Sequence, residues 1–413
     1  MLLSACAVTK NNSRQKTIVI KNVSVVDVVN GSLLLDQTVL ILGERIIEMG
    51  PSEKINIPGD ATLVNAAGKY IIPGLWDMHV HLEIAGEESL PIFIANGVTG
   101  VRDMGANSFS LLKNWRNQIE SGVREGPHIL APGPMIDGPF FTSDLRVTVT
   151  TPAEARKAVD SLVTLGVDFI KIHQQISREA YLAAADQARK HKITFVGHLP
   201  NTITPIEAIE AGQKSIEHIF TAPDKLPIYP LMKQRGTRVT PTLVFLYKLA
   251  RYNDSSMQND PRASYLSPTL KAFWKTQVAA WGEGVNQTVE LMNSLMPEMM
   301  SRTLSLQKAG VELLAGTDLA GVYIYPGSSL HEELELLVKA GLSPIEALQT
   351  ATINPARFFN KEESMGTVQK GKSGDLVLLN ANPLEKISNT KNIYMVIFKG
   401  RIYDEVKLKG MLK

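Results

Sequence analysis

Ile71-Ile-Pro-Gly-Leu-Trp-Asp-Met-His-Val-His81 is an apolar run that ends in two histidines one residue apart. Successive side chains on a β-strand alternate between two faces, so His79 and His81 would point the same way. Neutral imidazole is the commonest protein metal ligand. The Pro73-Gly74 turn and Asp77 strengthen the interpretation that two ligands converge at the C-terminal end of a strand. The alternative is a pair of polar residues at a strand edge.

Composition places the chain among ordinary globular proteins. It has 413 residues, of which 44% are hydrophobic and 20% are charged, and its formal net charge is +2. A chain of this length can bury a large core as one large domain or two moderate ones. The near-neutral charge, without a Lys/Arg cluster that contains aromatic residues, argues against nucleic acid as a partner. No apolar run in the sequence is long enough to span a bilayer.

Cys6 is the only cysteine, so the chain cannot form an internal disulfide. The preceding Leu3-Ser4-Ala5 resembles a bacterial lipobox, in which a small residue precedes a cysteine that becomes lipidated. We therefore interpret residues 1–16 as a lipobox-like tether with a lipid anchor at Cys6, which predicts a periplasmic or membrane-anchored lipoprotein. The charged and most of the apolar parts of a signal peptide are missing. The alternative is a disordered N-terminus with an inert thiol on a cytoplasmic protein.

Both ends of the chain have the pattern of antiparallel β-structure. Short apolar runs separated by glycines follow one another between residues 17 and 70. The same pattern returns over 375–379 and 393–398, where Lys399-Gly400 is typical of a hairpin turn. We therefore predict one small β-sandwich domain built from both chain termini, composed of residues 17–70 and 360–410.

The middle of the chain, residues 71–359, alternates between strand-like and helix-like patterns. Strands that alternate with helices predict parallel βαβ units, and eight strands predict a (β/α)₈ TIM barrel. The predicted fold class is therefore α/β, a (β/α)₈ TIM barrel plus the small β-sandwich domain. After the strand that ends at His81, the predicted strands lie at 97–103, 128–132, 168–173, 193–198, 214–218, 238–244 and 311–318.

A long segment, residues 245–305, separates the last two predicted strands and has a helical pattern of its own. Loops of this length are usually functional. One interpretation is a helical hairpin in which the methionine cluster within 292–300 fills the core. The other is a cap over the barrel mouth that restricts substrate size. After this segment, Ser329 and Glu332 have the spacing of a capping box for a helix over 330–340.

Ionisable residues end, or nearly end, the apolar runs of five predicted barrel strands. Catalysis in a TIM barrel takes place at the C-terminal ends of the strands. A lone histidine there is more often a hydrogen-bonded core residue than a ligand, but six such residues at corresponding positions indicate a common site. The six are His79 and His81 on the first strand, Lys171 on the fourth, His198 on the fifth, His218 on the sixth and Asp318 on the eighth.

Lys171 is the most informative of these residues, because it lies mid-strand between Ile170 and Ile172 and should face the barrel interior. A buried ammonium group is costly, and burial lowers the pKa of lysine. A neutral lysine amine can take up carbon dioxide to form a carbamate, an anionic ligand whose two oxygens can bridge two metal ions. The alternative is a lysine that pairs with a buried acid.

These motifs together resemble the metal-dependent amidohydrolase superfamily. The likeness is nearest to the branch with imidazolonepropionase-like sequences and Xaa-Pro dipeptidases, and it extends from about residue 17 to 405. It is carried by the run that ends at His81, by Lys171, Gly197-His198, Ile216-Glu-His218 and Ala315-Gly-Thr-Asp318, and by Gly97-Val-Thr-Gly-Val-Arg-Asp, Asn354-Pro-Ala-Arg and Gly371-Lys-Ser-Gly-Asp-Leu-Val.

The resemblance implies a binuclear metal site, with zinc as the expected ion. Asp318 would also act as the catalytic base, taking the proton of a metal-bridging hydroxide and delivering it to the leaving amine. His79, His81 and Asp318 would hold one ion, His198 and His218 the other, and Lys171 carboxylated by carbon dioxide would bridge them.

The function that follows from the resemblance is hydrolysis of an amide or peptide bond in a small molecule or short peptide, such as a dipeptide or an N-acyl amino acid. The same metals would also serve a lactonase or phosphotriesterase. A mononuclear deaminase would have no use for Lys171. An alternative from another class is a non-catalytic metal-binding lipoprotein, against which the intact ligand set argues. A homo-oligomer is compatible with any of these functions.

Three further residues are predicted to contact substrate. His173 lies two residues beyond Lys171 on the same face of its strand and would contact substrate or support the carbamate. Phe140, in the loop after the third strand, and Tyr323, after the eighth, lie where a pocket wall is expected. Loop packing is the equal alternative for both aromatic residues. Arg102 would either hold a substrate carboxylate or pair with the neighbours of Asp103.

Overall fold

The computed structural model describes residues 16–140, 143–224 and 226–412. Cys6 and the lipobox-like motif therefore lie outside the described residues. Within those ranges, no helix combines the length and the apolar character needed to cross a bilayer.

The strands follow one another along the chain as β1 (Ile18–Asp27), β2 (Ser32–Leu42), β3 (Arg45–Pro51), β4 (Thr62–Asn65), β5 (Tyr70–Pro73), β6 (Leu75–Val80), β7 (Val98–Asp103), β8 (His128–Leu130), β9 (Met135–Asp137), β10 (Arg146–Thr148), β11 (Ile170–Ile172), β12 (Phe195–Gly197), β13 (Ser215–Glu217), β14 (Arg238–Thr240), β15 (Leu376–Leu379), β16 (Ile393–Phe398) and β17 (Arg401–Tyr403).

The α-helices are α1 (Leu82–Ala85), α2 (Ser89–Ala95), α3 (Phe109–Glu120), α4 (Pro152–Leu165), α5 (Arg178–Lys190), α6 (Pro205–Ala211), α7 (Tyr229–Arg235), α8 (Leu243–Leu249), α9 (Ser255–Gln258), α10 (Pro268–Trp281), α11 (Val285–Lys308), α12 (Ser328–Ala340), α13 (Pro344–Thr350), α14 (Ile353–Phe358) and α15 (Glu405–Gly410). Short 3₁₀ segments lie at Leu226–Ile228, Pro261–Tyr265, Gly282–Gly284 and Ile387–Lys391.

Strands from both ends of the chain form one mixed sheet, in the order β17-β16-β15-β5-β1-β2-β3 with β4 paired to β1. The join is made by β15, which runs antiparallel to β5, with Leu376 opposite Pro73 and Leu379 opposite Tyr70. Some side chains of this sheet, such as Ile71 and Leu378, form an apolar core of their own, whereas others, such as Ile72 and Val377, pack into the main core. Because β5 leads directly into β6, this sheet also fixes where the first metal-site strand begins.

The middle of the chain supplies two parallel sheets, β6-β7-β8 and β10-β9-β11-β12-β13-β14. Most of their residues are buried, as expected for parallel strands that are covered on both faces. Residues 311–319 hydrogen-bond to both sheets. The Leu314 N–H donates to the Val239 carbonyl at 2.9 Å, and the Met78 N–H donates to the Ala315 carbonyl at 2.9 Å. The fold is thus TIM-barrel-like α/β.

Two predicted strands differ from the structure, and two strands of the structure have no predicted counterpart. Among the described residues, the eighth strand predicted over 311–318 makes only isolated bridges, at Leu313 and just beyond its end at Leu319, and Asp318 leaves the extended region with a φ of +59°. The seventh strand ends at Thr240, and a left-handed Thr242 precedes helix α8. Strands β9 and β10 were not predicted, since three residues are too few for an alternating pattern to be recognised.

The predicted capping box before 330–340 is wrong. Helix α12 begins at Ser328, so Ser329 lies inside the first turn, where its hydroxyl accepts from the Tyr325 N–H at 2.9 Å. Glu332 instead forms ion pairs with Lys248 at 3.0 Å and Arg262 at 2.9 Å. These pairs tie the 245–305 segment to helix α12.

Candidate active site

The predicted metal ligands meet at one cavity of roughly 410 Å³. Its volume lies within the range of about 300–1,000 Å³ that is typical of small-molecule sites. The structure therefore brings together, from distant parts of the chain, every metal ligand proposed from the sequence. The six that line the cavity are His79, His81, Lys171, His198, His218 and Asp318.

Two histidines and one carboxylate form the tightest group in this cavity. The Nε2 atoms of His79 and His81 lie 3.4 and 3.5 Å from Oδ1 of Asp318. One ligand atom from each of the three residues lies within 4.8 Å of the others, close enough to share one metal ion. Imidazole nitrogen and carboxylate oxygen are a donor set that zinc accepts.

A buried ion pair between Glu217 and Arg102 fixes the orientation of His79 through its Nδ1 atom. Its Nδ1 lies 3.0 Å from Oε2 of Glu217, and both carboxylate oxygens of Glu217 lie 2.8 Å from Nη2 of Arg102. Burial raises the pKa of Glu217, but Arg102 and His79 outweigh burial and hold it below its usual range. Arg102 is therefore an internal partner of Glu217 and is not placed to bind a substrate carboxylate.

This ion pair leaves the other nitrogen of His79 without a proton. Burial is the main cause that lowers the pKa of His79 to about 4, so its imidazole is neutral at neutral pH. Because Nδ1 donates to ionised Glu217, Nε2 presents a lone pair to Oδ1 of Asp318. A cation between these two acceptors would offset their repulsion, so the arrangement fits a metal ion.

Two other histidines are held in the same way by oxygen atoms. Nδ1 of His81 lies 3.2 Å from the Gly105 carbonyl, and Nδ1 of His218 lies 2.8 Å from the Thr242 hydroxyl. A carbonyl can only accept, so Nδ1 of His81 carries a proton and Nε2 faces Asp318. Burial lowers the pKa of His81, but the Asp318 carboxylate outweighs burial and raises it. Such outer contacts fix the tautomer and the direction of metal-binding histidines.

Lys171 and His198 carry buried polar atoms that lack a partner. Lys171 is 1% exposed, and neither its Nζ nor Nδ1 of His198 has a hydrogen-bond partner among the described residues. Burial, helped by nearby Arg102, lowers the pKa of Lys171 to about 8, so a neutral amine is accessible near neutral pH. Unsatisfied buried groups require an explanation. A metal ion and a carbamate on Lys171 would satisfy both residues.

Strained backbone positions direct several of these side chains. Asp318, His218 and Thr242 have φ values of +59°, +67° and +50°, a region that costs about 1–3 kcal/mol for each such residue. Gly316 allows the segment before Asp318 to approach the first strand. A Cβ at this position would lie 2.6 Å from Cγ2 of Thr240 and 2.8 Å from Cβ of His79.

His173 lies beside the metal-site histidines and lines the cavity. Its ring centre is 4.2 Å from that of His198, and its Nδ1 lies 2.9 Å from Oδ2 of Asp137. The same carboxylate oxygen lies 3.2 Å from Nε of Arg146, which also lines the cavity. Sequence reasoning missed Asp137 and Arg146, because they lie on the unpredicted strands β9 and β10.

The other two predicted substrate residues lie elsewhere. Phe140 is 74% exposed, and neither it nor Tyr323 is among the described residues that line the cavity. Tyr323 stacks on Tyr252 with ring centres 5.6 Å apart and meets the ring of Trp274 at 5.7 Å. In this structure Tyr323 packs within the wall behind the cavity.

The 245–305 segment lies over the cavity. Phe273 and Gln277 of helix α10 and Thr288 of helix α11 line it. Met296 and Met299 of helix α11 are buried in the main core. The methionines therefore fill the core as the hairpin interpretation predicts, and the same segment also supplies part of the cavity wall.

Comparisons with known proteins give the family. The model of the amidohydrolase family matches residues 70–403. Ochratoxinase from Aspergillus niger is 23% identical over 86% of this chain and 79% of its own length. Imidazolonepropionase from Fusobacterium nucleatum is 22% identical over 89% of this chain and 88% of its own.

A solved structure has the same fold over nearly the whole chain. A prolidase crystallised with N-methylphosphonate-L-proline superimposes with a TM-score of 0.74 and 22% identity, covering 94% of this chain and 100% of its own. The family match spans most of the chain, including all six residues at the cavity. The chain therefore belongs to the amidohydrolase family and is a hydrolase that acts on carbon–nitrogen bonds.

Proposed function

We propose that this protein is a binuclear, zinc-dependent amidohydrolase that cleaves an amide or peptide bond in a small molecule, such as a dipeptide or an N-acyl amino acid. The observation that carries the proposal is the convergence of four histidines, a buried lysine and an aspartate on one cavity. The family match and the amide-cleaving relatives support this class of substrate.

The residues present fit two metal ions. When bound, two such ions would supply hydroxide near neutral pH and would polarise the scissile carbonyl. The fit rests on the lone pairs that face each other at Asp318 and on the unsatisfied atoms of Lys171 and His198. His79, His81 and Asp318 would hold one ion, His198 and His218 the other, and Lys171 would serve both as its carbamate.

Asp318 is the residue that we assign to proton transfer. Burial raises the pKa of Asp318, but His218, His79 and His81 outweigh burial and lower it, so its carboxylate is ionised at neutral pH. An ionised carboxylate at the cavity can accept the proton of an attacking water and return it to the leaving amine. Its Oδ1 lies 3.4 and 3.5 Å from the Nε2 atoms of His79 and His81.

We also infer that the two parallel sheets close into one eight-stranded barrel. The hydrogen bonds of residues 311–319 to β14 and to β6 support closure on one side. On the other side, the Asp168 N–H donates to the Ala131 carbonyl at 3.0 Å. Closure would explain why side chains that are far apart in the sequence reach one cavity.

A substrate screen tests the proposed function. We would load the full chain with zinc in bicarbonate buffer and measure hydrolysis of a library of dipeptides and N-acyl amino acids. We expect amide turnover that disappears with a chelator and returns when zinc is added. The absence of amide hydrolysis in the zinc-loaded protein, or hydrolysis of lactones or phosphotriesters alone, would contradict the proposal.

A further inference from the structure

The cavity has two chemically different sides. Apart from the six predicted metal ligands, Arg146 is the one described charged residue that lines it, and its guanidinium already contacts Asp137. Much of the remaining surface is aliphatic or aromatic and comes from the strand-end loops and from the segment above them. The apolar side includes Ile84, Phe220, Phe245, Leu249, Phe273 and Val322.

Three phenylalanines line the cavity. Phe220 stacks on the imidazole of His218, with ring centres 5.0 Å apart and an angle of 12° between the planes, yet it is 41% exposed. Phe245 lies 6.3 Å from the same imidazole, measured between ring centres. Phe273 enters the cavity from helix α10. A partly exposed aromatic ring beside a metal site leaves apolar surface for a ligand to cover.

Phe220, Phe245 and Phe273 form an aromatic wall, and neighbouring residues fix the position of this wall. Ser267, the N-cap of helix α10, donates its hydroxyl to the Ala85 carbonyl at 2.6 Å. One residue after Phe273, Trp274 is buried and donates its indole N–H to the Ala320 carbonyl at 3.1 Å. Gly321 packs against Phe245, since a Cβ on this glycine would lie 2.7 Å from the ring. The wall is thus preorganised, which lowers the cost of binding a group that matches it.

We propose that the substrate carries a large apolar group, preferably aromatic, beside the scissile amide, and that Phe220, Phe245 and Phe273 hold this group. A charged or strongly polar group at this place would lose its hydration without gaining a partner, so the wall selects against it. The volume of roughly 410 Å³ limits the substrate to a small amide of this kind. This inference rests on the proposed amide hydrolysis and adds the substrate class.

Matched pairs of amides test this inference in the zinc-loaded full chain. N-benzoylglycine against N-acetylglycine places the aromatic ring on the acyl side, and N-acetylphenylalanine against N-acetylalanine places it on the amine side. We expect kcat/KM to be at least about tenfold higher for the aromatic member of one pair. Equal kcat/KM values within both pairs would overturn the inference and leave the proposed function intact.

Variants distinguish the contribution of the aromatic wall from that of other apolar residues. Phe273→Ala should reduce the aromatic preference severalfold, and Phe220→Ala, at a partly exposed position, repeats the test without disturbing the core. The matched control is Leu291→Ala, an apolar truncation on the solvent side of helix α11, which should keep the preference. If the preference for aromatic amides is unchanged in both phenylalanine variants, other residues determine it and the inference is overturned.

Binding measurements distinguish a failure of the proposed amide hydrolysis from a failure of the proposed aromatic wall. If no amide is cleaved, the proposed function fails. Calorimetric measurement of the binding of the same four compounds then tests the aromatic wall alone. Aromatic compounds that bind about tenfold more tightly than their small partners would support the wall as a binding site. Equal binding of all four compounds would overturn it.

Discussion

Histidines at opposite ends of the parallel strands are held in opposite protonation states. At the C-terminal end of β6, burial lowers the pKa of His79 to about 4. At the start of β8, burial also opposes a charge on His128, but Asp375 at 3.0 Å and Glu120 at 3.3 Å raise its pKa to about 9. The same side chain is therefore neutral at one end and cationic at the other.

This difference separates chemistry from stability. The neutral imidazole of His79 keeps a lone pair for a metal ion, which suits the C-terminal end of the strands to catalysis. The charged His128 instead links the parallel sheets to the composite sheet, because Asp375 immediately precedes β15 and the ring of Phe398 on β16 lies 5.0 Å away. The different roles of His79 and His128 therefore follow from their positions in the fold and not from the residue type.

The largest effect is expected at the neutral-imidazole end. Asp318→Asn should lower kcat by about 10²–10⁴-fold, because an amide cannot accept the proton that a carboxylate accepts. The measurement is steady-state hydrolysis by the zinc-loaded variant. Glu333→Gln is the matched control, since this buried acid accepts the N–H groups of Leu243 and Val244 away from the metal site. Full activity of Asp318→Asn would rule out the assigned base.

A smaller effect is expected at Glu217, which contacts the metal-site residue His79 but does not itself line the cavity. Glu217→Gln should weaken zinc binding by about 10–100-fold, because the amide no longer fixes the proton of His79 on Nδ1. Zinc affinity is measured by competition with a chromogenic chelator, on protein whose fold has been verified by circular dichroism. Glu333→Gln again serves as the control. Unchanged zinc affinity in the Glu217 variant would show that the ion pair does not position His79.

The smallest effect is expected at the cationic end, and it concerns stability. Because the folded-state pKa of His128 lies above the ordinary value of about 6.5, protonated His128 stabilises the fold fully below pH 6.5, and this contribution is lost as the pH rises through about 9. His128→Gln should therefore lower the free energy of unfolding by about 1–2 kcal/mol at pH 6.

The test for His128 is denaturant unfolding of both proteins across this pH range. The difference between the wild type and His128→Gln should shrink as the pH approaches 10, and the zinc content should stay the same. A constant difference across the pH range would mean that the charge of His128 does not link the two parts of the molecule.

Most of the site could be predicted from the sequence, because its ligands end apolar runs. The His79-Val-His81 spacing and the mid-strand Lys171 are local signals that do not depend on the partner strands. The similar patterns at both termini predict one small domain, and in the structure strands from both chain ends share one sheet. The pattern also predicts an eighth strand, whereas residues 311–319 make only isolated bridges and Asp318 is left-handed.

The supporting residues could not be predicted, because their contacts are long-range. Glu217 lies beside His218 in the sequence but acts on His79, and its partner Arg102 is 115 positions away. Asp137 and Arg146 belong to three-residue strands with no readable alternation. The apolar wall depends on how helix α10 packs over the cavity, which local hydrophobic spacing does not specify.

Metal stoichiometry tests the central claim most directly. Protein stripped of metal, reloaded with zinc in bicarbonate and freed of excess ion should contain about two zinc ions per chain, and Lys171→Ala should contain about one or fewer. One zinc or none in the wild type, or two in the Lys171→Ala variant, would contradict a metal pair that is held by the strand ends and bridged by Lys171.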